Sequence, residues 1–597
     1  MTPTTMTPPT APPAKSRYLE APSSWRAFVR ARESSLIGLA AVIGAIGGLA
    51  VAAMSGAVLV LHAVLFGLPL GERLSEQTSV NPVLALLVPS LGGLGLGIAL
   101  MLLPRWRPPR EVDPIEANAL HGGRMSFRGS VVVALQTIWS CGVGASVGLE
   151  AGYTQLSSGL AASIGRGFHL RRADQRIMVG CGAAAAIAGA FGAPLAGAFY
   201  AFELVLGGYT PASLTPVGVA AVVGYFASRA FTSFSVGVVA GQIGVVNSQD
   251  LVIAVSLGVV AALFGIGIMR CVAMCEWLLS QRFLWPPLRP LLGGLFVGMM
   301  ALATPQVMAS GHGALHLVGI GEMTLLAAGL VFGLKTLASI VSLGAGFRGG
   351  LFFASLLLGA LGGRLFAAAL GAVWPGAPLD PNVYSIIGMG ALSASIIGGP
   401  LTMTFIALET TGDLWLATAV LVAVIISTQL TRELFGYSFA TWRFHLRGET
   451  IRSAADVGWI RDLTVARMMR RDVATVDAAS SLEEFRGRFP LGSKTQVIAE
   501  DEEGRYRGII FVADAYATEN ARARRVSDLM RYDKATLLPS MNVQEAVAAF
   551  DRAEAEALAV IDSLEHRKVI GILTETHTLR RYSEESERRR REVLGET

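Results

Sequence analysis

The sequence predicts an all-α, polytopic membrane protein built from two copies of one unit, followed by a soluble α/β module. Three observations carry this reading. The mean hydropathy is +0.52, with 52% hydrophobic and 16% charged residues over 597 positions, far from the balance of a soluble protein of this size. The segment Pro194-Leu-Ala-Gly-Ala-Phe199-Tyr-Ala201-Phe-Glu203 returns as Pro400-Leu-Thr-Met-Thr-Phe405-Ile-Ala407-Leu-Glu409, with Pro, Leu, Phe, Ala and Glu each displaced by 206 residues. Thr137, Ser140, Gly165-Arg166 and Phe168 likewise find partners in Thr336, Ser339, Gly363-Arg364 and Phe366. Finally, after Glu449 the long apolar stretches give way to short strand-like runs in an Arg-, Glu- and Asp-rich background.

Residues 1–34 read as a cytoplasmic tail: Met1 to Pro13 is rich in Thr and Pro and lacks the small-residue cleavage pattern of a signal peptide. The membrane domain is placed at 35–445, its two repeats at roughly 35–230 and 250–445. Apolar segments run at 35–66, 82–103, 128–147, 150–165, 175–206, 211–230, 250–282, 287–304, 322–343, 349–372, 383–398, 400–411 and 413–430. Several are shorter than the roughly 20 residues that cross a bilayer. Such helices must end inside the membrane, which is tolerable only where the freed backbone groups line a buried or wet cavity. Helix N-termini gathered at one depth offer N–H groups and positive dipole ends, an anion site that needs no cationic side chain. Many of the 68 glycines cluster at segment starts (Gly142, Gly144, Gly148, Gly152; Gly344, Gly346, Gly349, Gly350), where they permit tight breaks and close helix contact. Duplicated apolar units carrying one carboxylate each match transporter folds whose sites lie at the repeat interface.

The net charge of +5 reflects Arg-rich flanks of a membrane protein, not a nucleic-acid partner. Lys15, Arg17, Arg26, Arg30 and Arg32 precede the first span and Arg432, Arg443 and Arg447 follow the last, which places both termini in the cytoplasm and the protein in the inner (plasma) membrane. Cys141, Cys181, Cys271 and Cys275 all sit in apolar segments, so neither a disulfide framework nor a metal site is expected. His312 and His316, flanked by Gly311 and Gly313, are read as a loop, and Lys335 as a snorkelling or helix-end lysine.

A linker at 446–462 leads to two similar α/β copies, 463–520 and 526–582, and a charged tail, 583–597. Gln496–Glu500, Gly508–Val512, Ala557–Asp562 and Val569–Thr574 read as strands, Ser481–Arg488 and Val543–Arg552 as helices. Each copy opens alike, at Val465-Ala-Arg-Met-Met-Arg and Val526-Ser-Asp-Leu-Met-Arg, and closes on Gly508-Ile-Ile or Gly571-Ile-Leu. This resembles a tandem pair of CBS domains.

Gly192-Ala-Pro-Leu-Ala-Gly-Ala-Phe-Tyr-Ala-Phe-Glu203, Gly344-Ala-Gly-Phe-Arg-Gly-Gly-Leu-Phe352 and Gly399-Pro-Leu-Thr402 through Glu409 together resemble the ClC chloride channel and transporter family over about residues 35–445. The resemblance implies an inverted repeat of tilted and half-length helices, a homodimer with one pathway per subunit, chloride or another small anion as the transported species, and no enzymatic chemistry. Gly148-Leu149-Glu150-Ala151-Gly152 is similar to the family's gating motif, so Glu150 matches the gating glutamate, which blocks as an anion and opens when neutral. Leu351 and Phe352 match the helix start that binds the central anion, although Ala354 stands where the family has proline, and Tyr437 matches the tyrosine whose hydroxyl faces it. The selectivity loop aligns with Arg110-Glu111-Val112-Asp113-Pro114, which puts Glu111 at the selectivity serine's place, with Arg110 or Arg348 as candidate neutralising partners.

The internal glutamate common in the family's proton exchangers is replaced by Leu204, so the expectation is a channel-like or weakly proton-coupled pathway. A proton-coupled exchanger and a CBS-bearing sensor with a closed pathway are the alternatives. Glu203 and Glu409 are read as structural caps. In the CBS pair the ribose-binding pattern is incomplete: Phe511 and Asp514 in copy one, Thr574 and His577 in copy two, so no cofactor is required and an adenine nucleotide binds at most weakly.

Overall fold

The computed structural model describes residues 21–22, 24–26, 33–103, 111–232, 244–280, 285–319, 323–375, 379–446, 463–517 and 525–594. The tail before Ala21, Arg110 and the linker from Arg447 to Asp462 lie outside them. The chain divides into two compact units, Met1–Asp456 and Val457–Thr597.

The first unit is helical, and among the described residues seven helices are long and apolar enough to cross a membrane. Its first half holds α1 (Glu33–Phe66), α2 (Pro82–Leu102), α3 (Pro114–Leu120), α4 (Phe127–Gly142), α5 (Glu150–Gly167), α6 (Arg172–Phe191), α7 (Pro194–Tyr200) and α8 (Pro211–Arg229). Its second half holds α9 (Ser248–Ser280), α10 (Leu288–Ala301), α11 (His312–Gly319), α12 (Leu325–Gly344), α13 (Phe352–Val373), α14 (Pro381–Ile397), α15 (Pro400–Thr411) and α16 (Leu414–Leu434), with α17 (Phe439–Leu446) after them. Each helix of the first half has a counterpart in the second. Packing repeats as well: α1 lies on α8 and α6 as α9 lies on α16 and α14, and α5 lies on α6 as α13 lies on α14. Two pairs, α2 with α10 and α7 with α15, join a helix to its own counterpart, as a pseudo-two-fold axis through the repeat interface requires. At the α2–α10 crossing a Cβ on Gly93 or on Gly294 would run into the facing Pro290 or Pro89 carbonyl. Glycine there allows the backbone approach that holds helices together where lipid supplies no hydrophobic drive.

Helix starts explain where the chain breaks. Asn81, Asp113 and Asp380 accept N–H bonds from Val83 (3.0 Å), Ile115 (2.8 Å) and Asn382 (2.8 Å), each just ahead of a proline at the first helical position. The apolar stretch read as one segment, 175–206, is three pieces. Gly192 takes φ +67° and ends α6, Pro194 opens α7, and Ala201–Leu206 continues as a π-helical turn stopped by Gly207 at φ +77°. His312 lies on a helix, not in a loop: Gly311 at φ +84° makes the turn and α11 starts after it. Lys335 also departs from expectation. It neither snorkels nor sits at an end but is fully buried in mid-α12, donating to the Val307 (3.1 Å) and Ala309 (2.8 Å) carbonyls. The core between the halves is built largely on α6 and α14, whose buried Ala, Gly, Ser and aliphatic residues cover nearly all faces.

In the second unit two three-stranded sheets have the same topology. In β1 (Thr475–Asp477), β2 (Gln496–Glu500) and β3 (Tyr506–Phe511), the first pair is parallel and the second antiparallel. β4 (Thr536–Leu537), β5 (Ala557–Ile561) and β6 (Val569–Thr574) repeat that order, with a bulge at the equivalent place. The short β1 and β4 carry too few residues for an alternating pattern, so sequence periodicity passed over them. The copies clasp each other reciprocally: Arg470 exchanges both backbone bonds with Ile572, and Arg531 does the same with Ile509.

Candidate functional site

The starts of α5, α7, α13 and α15 lack a side-chain cap of their own. At α7 and α15 the other repeat supplies it. Glu203 accepts from the Leu401 (2.8 Å) and Thr402 (2.9 Å) amides and from the Thr402 hydroxyl. Glu409 accepts from the Leu195 (2.8 Å) and Ala196 (2.9 Å) amides. Phe199 stacks on Phe405 between them, ring centroids 4.4 Å apart. Both carboxylates are thereby committed to helix termini.

At α5 and α13 the arrangement differs. The loops that lead into them are joined by a two-way backbone bridge, Gly148 N–H to Gly350 O at 2.9 Å and Gly350 N–H to Gly148 O at 3.1 Å. Hydroxyls of each repeat hold the loop of the other: Arg348 N–H donates to Ser140 Oγ (3.0 Å) and Ser146 N–H to Ser342 Oγ (3.0 Å). Glu150 is the first residue of α5, and its side chain crosses to the second repeat. Oε1 accepts the Phe353 amide of α13 at 2.7 Å, whereas the buried Oε2 finds no protein partner. A Cβ at Gly148 would collide with this carboxylate, so the motif's glycine leaves the room that the folded-back glutamate occupies.

Two cavities flank the break. One, of about 170 Å³, is lined by Glu150, Glu111, Arg348, Tyr200, Leu204 and Phe352, among others. The other, of about 390 Å³, is lined by Leu149 and Phe353 with Arg73, His62, Tyr153 and Ser310. Successive residues of each loop therefore face opposite cavities, and the Glu150 carboxylate lies at the divide. Arg348 pairs with Glu111 at the first cavity, each about one-quarter exposed, while Glu150 itself is 3% exposed.

Glu111, Glu150, Leu351 and Phe352 thus come together with Leu204, and Gly148 and Leu149 form the loop behind them. Tyr437 does not join them. It lines a different cavity with Glu203, Arg432 and Thr441, its ring 5.6 Å from Trp442, because Gly436 at φ +85° turns the chain between α16 and α17. The tyrosine on the Glu150 cavity is Tyr200, 6.1 Å from the Phe352 ring. Its signal was present: within the repeated segment it is an aromatic hydroxyl where the second copy has Ile406. Among the described residues no three His, Cys, Asp or Glu side chains form a metal cluster. In the second unit Asp514 is engaged by Arg531 at 2.7 Å, and Thr574 accepts from the His577 amide and the Thr578 hydroxyl. They occupy equivalent junctions of the two copies, where the third strand passes into the next helix.

A family model described as voltage gated chloride channel matches residues 95–432, and a CBS domain model matches residues 526–584. The chain is 30% identical over 400 residues to a protein of Escherichia coli named voltage-gated ClC-type chloride channel ClcB, covering 66% of this chain and 95% of that one. Among solved structures, a slow cyanobacterial Cl-/H+ antiporter superimposes with a TM-score of 0.60 at 21% identity, covering 69% of this chain and 97% of that one. A eukaryotic CLC transporter gives 0.57 at 17% identity, covering 92% and 98%. With its two repeats bridged at the starts of α5 and α13, this chain belongs to the voltage gated chloride channel family.

Proposed function

We propose that the protein conducts chloride or another small anion across the inner (plasma) membrane, through a pathway gated by Glu150 that is channel-like or weakly coupled to protons. One observation carries the reading. The Glu150 carboxylate sits on the Phe353 amide at the N-terminus of α13, the position that a free anion would take at such a helix start. As a tethered anion it fills the divide between the two cavities, and when neutralised it has no reason to stay there. Backbone N–H groups at a helix start favour anions over cations. Leu204 lines the same cavity as Glu150 and offers no titratable atom to pass a proton onward. The family and the E. coli relative support the anion. Both termini lie in the cytoplasm, the CBS pair acts as a regulatory module there, and the working form is a homodimer.

A second reading, proton-coupled exchange, is favoured by one feature: Glu111 lines the cavity of Glu150 and offers the titratable side chain that Leu204 lacks. Purified protein in chloride-loaded liposomes, assayed with and without a proton uncoupler, separates the two. Chloride efflux with little uphill proton movement is expected. Robust proton pumping at a fixed ratio would establish exchange, and no chloride flux at all would refute both.

A further inference from the structure

The repeat supplies an internal control for the charges at the first cavity. Gly148 and Gly350 are equivalent positions that bridge each other, so Arg348 corresponds to Ser146. Their backbones are held alike, each N–H on a hydroxyl of the opposite repeat. Likewise α3 and α11 correspond, which pairs Glu111 with Ala309. On the far side of the break, Ala309 donates its N–H to Gly144 O at 3.2 Å, two residues before Ser146. The same scaffold is therefore built twice, once with Ala and Ser and once with Glu and Arg. The fold does not need the ion pair.

A half-buried charge that the fold does not require has another use. Arg348 presents a planar fork of donors suited to an anion, and Glu111 occupies it from a loop pinned two residues on, where Asp113 caps α3. Of the other charged groups lining this cavity, Asp113 is committed to that cap, Arg443 comes from α17, and Glu150 accepts the Phe353 amide of α13. Exchanging Glu111 for a second anion keeps the charge of Arg348 balanced.

We propose that Arg348 is an anion-binding group at the mouth of the first cavity and that Glu111 is its tethered occupant, displaced when a small anion binds. This makes a second carboxylate gate in series with Glu150, and it rests on the anion-permeation reading above only for its physiological use. Chloride binding to the full chain in detergent, measured by calorimetry, tests it independently of flux. Glu111→Gln should lower the chloride Kd about fivefold, the factor that ~1 kcal/mol of a partly exposed ion pair supplies. In an Arg348→Met background the same substitution should change nothing. Glu111→Asp, whose shorter reach weakens the pair but keeps the charge, should fall between wild type and Glu111→Gln. An unchanged Kd in a well-folded Glu111→Gln protein, or an equal shift with and without Arg348, would overturn the proposal. Should the Kd shift appear in a protein that shows no flux in liposomes, the binding group stands and the permeation reading fails.

Discussion

Glu150 holds a negative charge one residue into a helix of its own repeat and delivers it to the first turn of a helix in the other. Replacing it by Gln keeps the shape and removes the charge. Glu150→Gln should therefore conduct chloride without the wild-type response to pH, which a liposome flux series from acid to alkaline pH would measure. A mutant that keeps the full pH response would place the gate elsewhere. This residue was legible through the resemblance of Gly148-Leu149-Glu150-Ala151-Gly152 to the family's gating motif. Lys335 was misread because it sits in a segment whose polarity pattern fits several depths. What fixes Lys335 is a pair of carbonyls supplied by Val307 and Ala309, a tertiary contact no local pattern contains. Tyr437 is set by the direction of one glycine turn at Gly436.

Helix boundaries were recovered at α2, α8 and α14, where a proline and a side-chain cap coincide with an apolar run, missed at α3, which is too short to show as an apolar segment, and blurred where the break depends on a left-handed glycine, as inside 175–206. The 206-residue displacement found the repeat, but not its most consequential use, the exchange of caps between α7 and α15. Glu409→Ala strips two amides at the start of α7 of their charged acceptor, a loss of roughly 1–3 kcal/mol for each hydrogen bond to a charged group. The variant should unfold at a lower temperature in a detergent melt, Glu409→Gln should fall between it and wild type, and Glu203→Ala should match it through α15. Unchanged melting would mean that water, not the opposite repeat, satisfies those amides.

At the level of the molecule, a duplicated membrane unit is joined in sequence to a duplicated soluble one, and each duplication is clasped by reciprocal backbone contacts. The CBS copies differ where their nucleotide signature should stand. Asp514 is held by Arg531. His577 replaces the second aspartate and lies below its ordinary pKa, through burial first and then the nearby Arg580, Arg470 and Arg581. The arginines around it suit a phosphate more than a ribose hydroxyl. Calorimetry with ATP, ADP and AMP on the full chain should find at most one weak site per subunit, with affinity falling as salt rises. Tight, salt-independent binding at two sites would refute this.

The exchanged caps also bear on how the protein is made. While the first half is in the bilayer and Glu409 has not yet been synthesised, the amides at the start of α7 have no acceptor, and Glu203 has no helix to serve. Neither half is a finished membrane body on its own, because hydrocarbon offers no substitute partner. Insertion of the second half is then the step that completes the first, and a ribosome stalled between Gly207 and Pro400 holds a chain that quality control can recognise by its unsatisfied polar groups. The duplication that gave the fold its symmetry has made each copy the other's obligatory assembly factor.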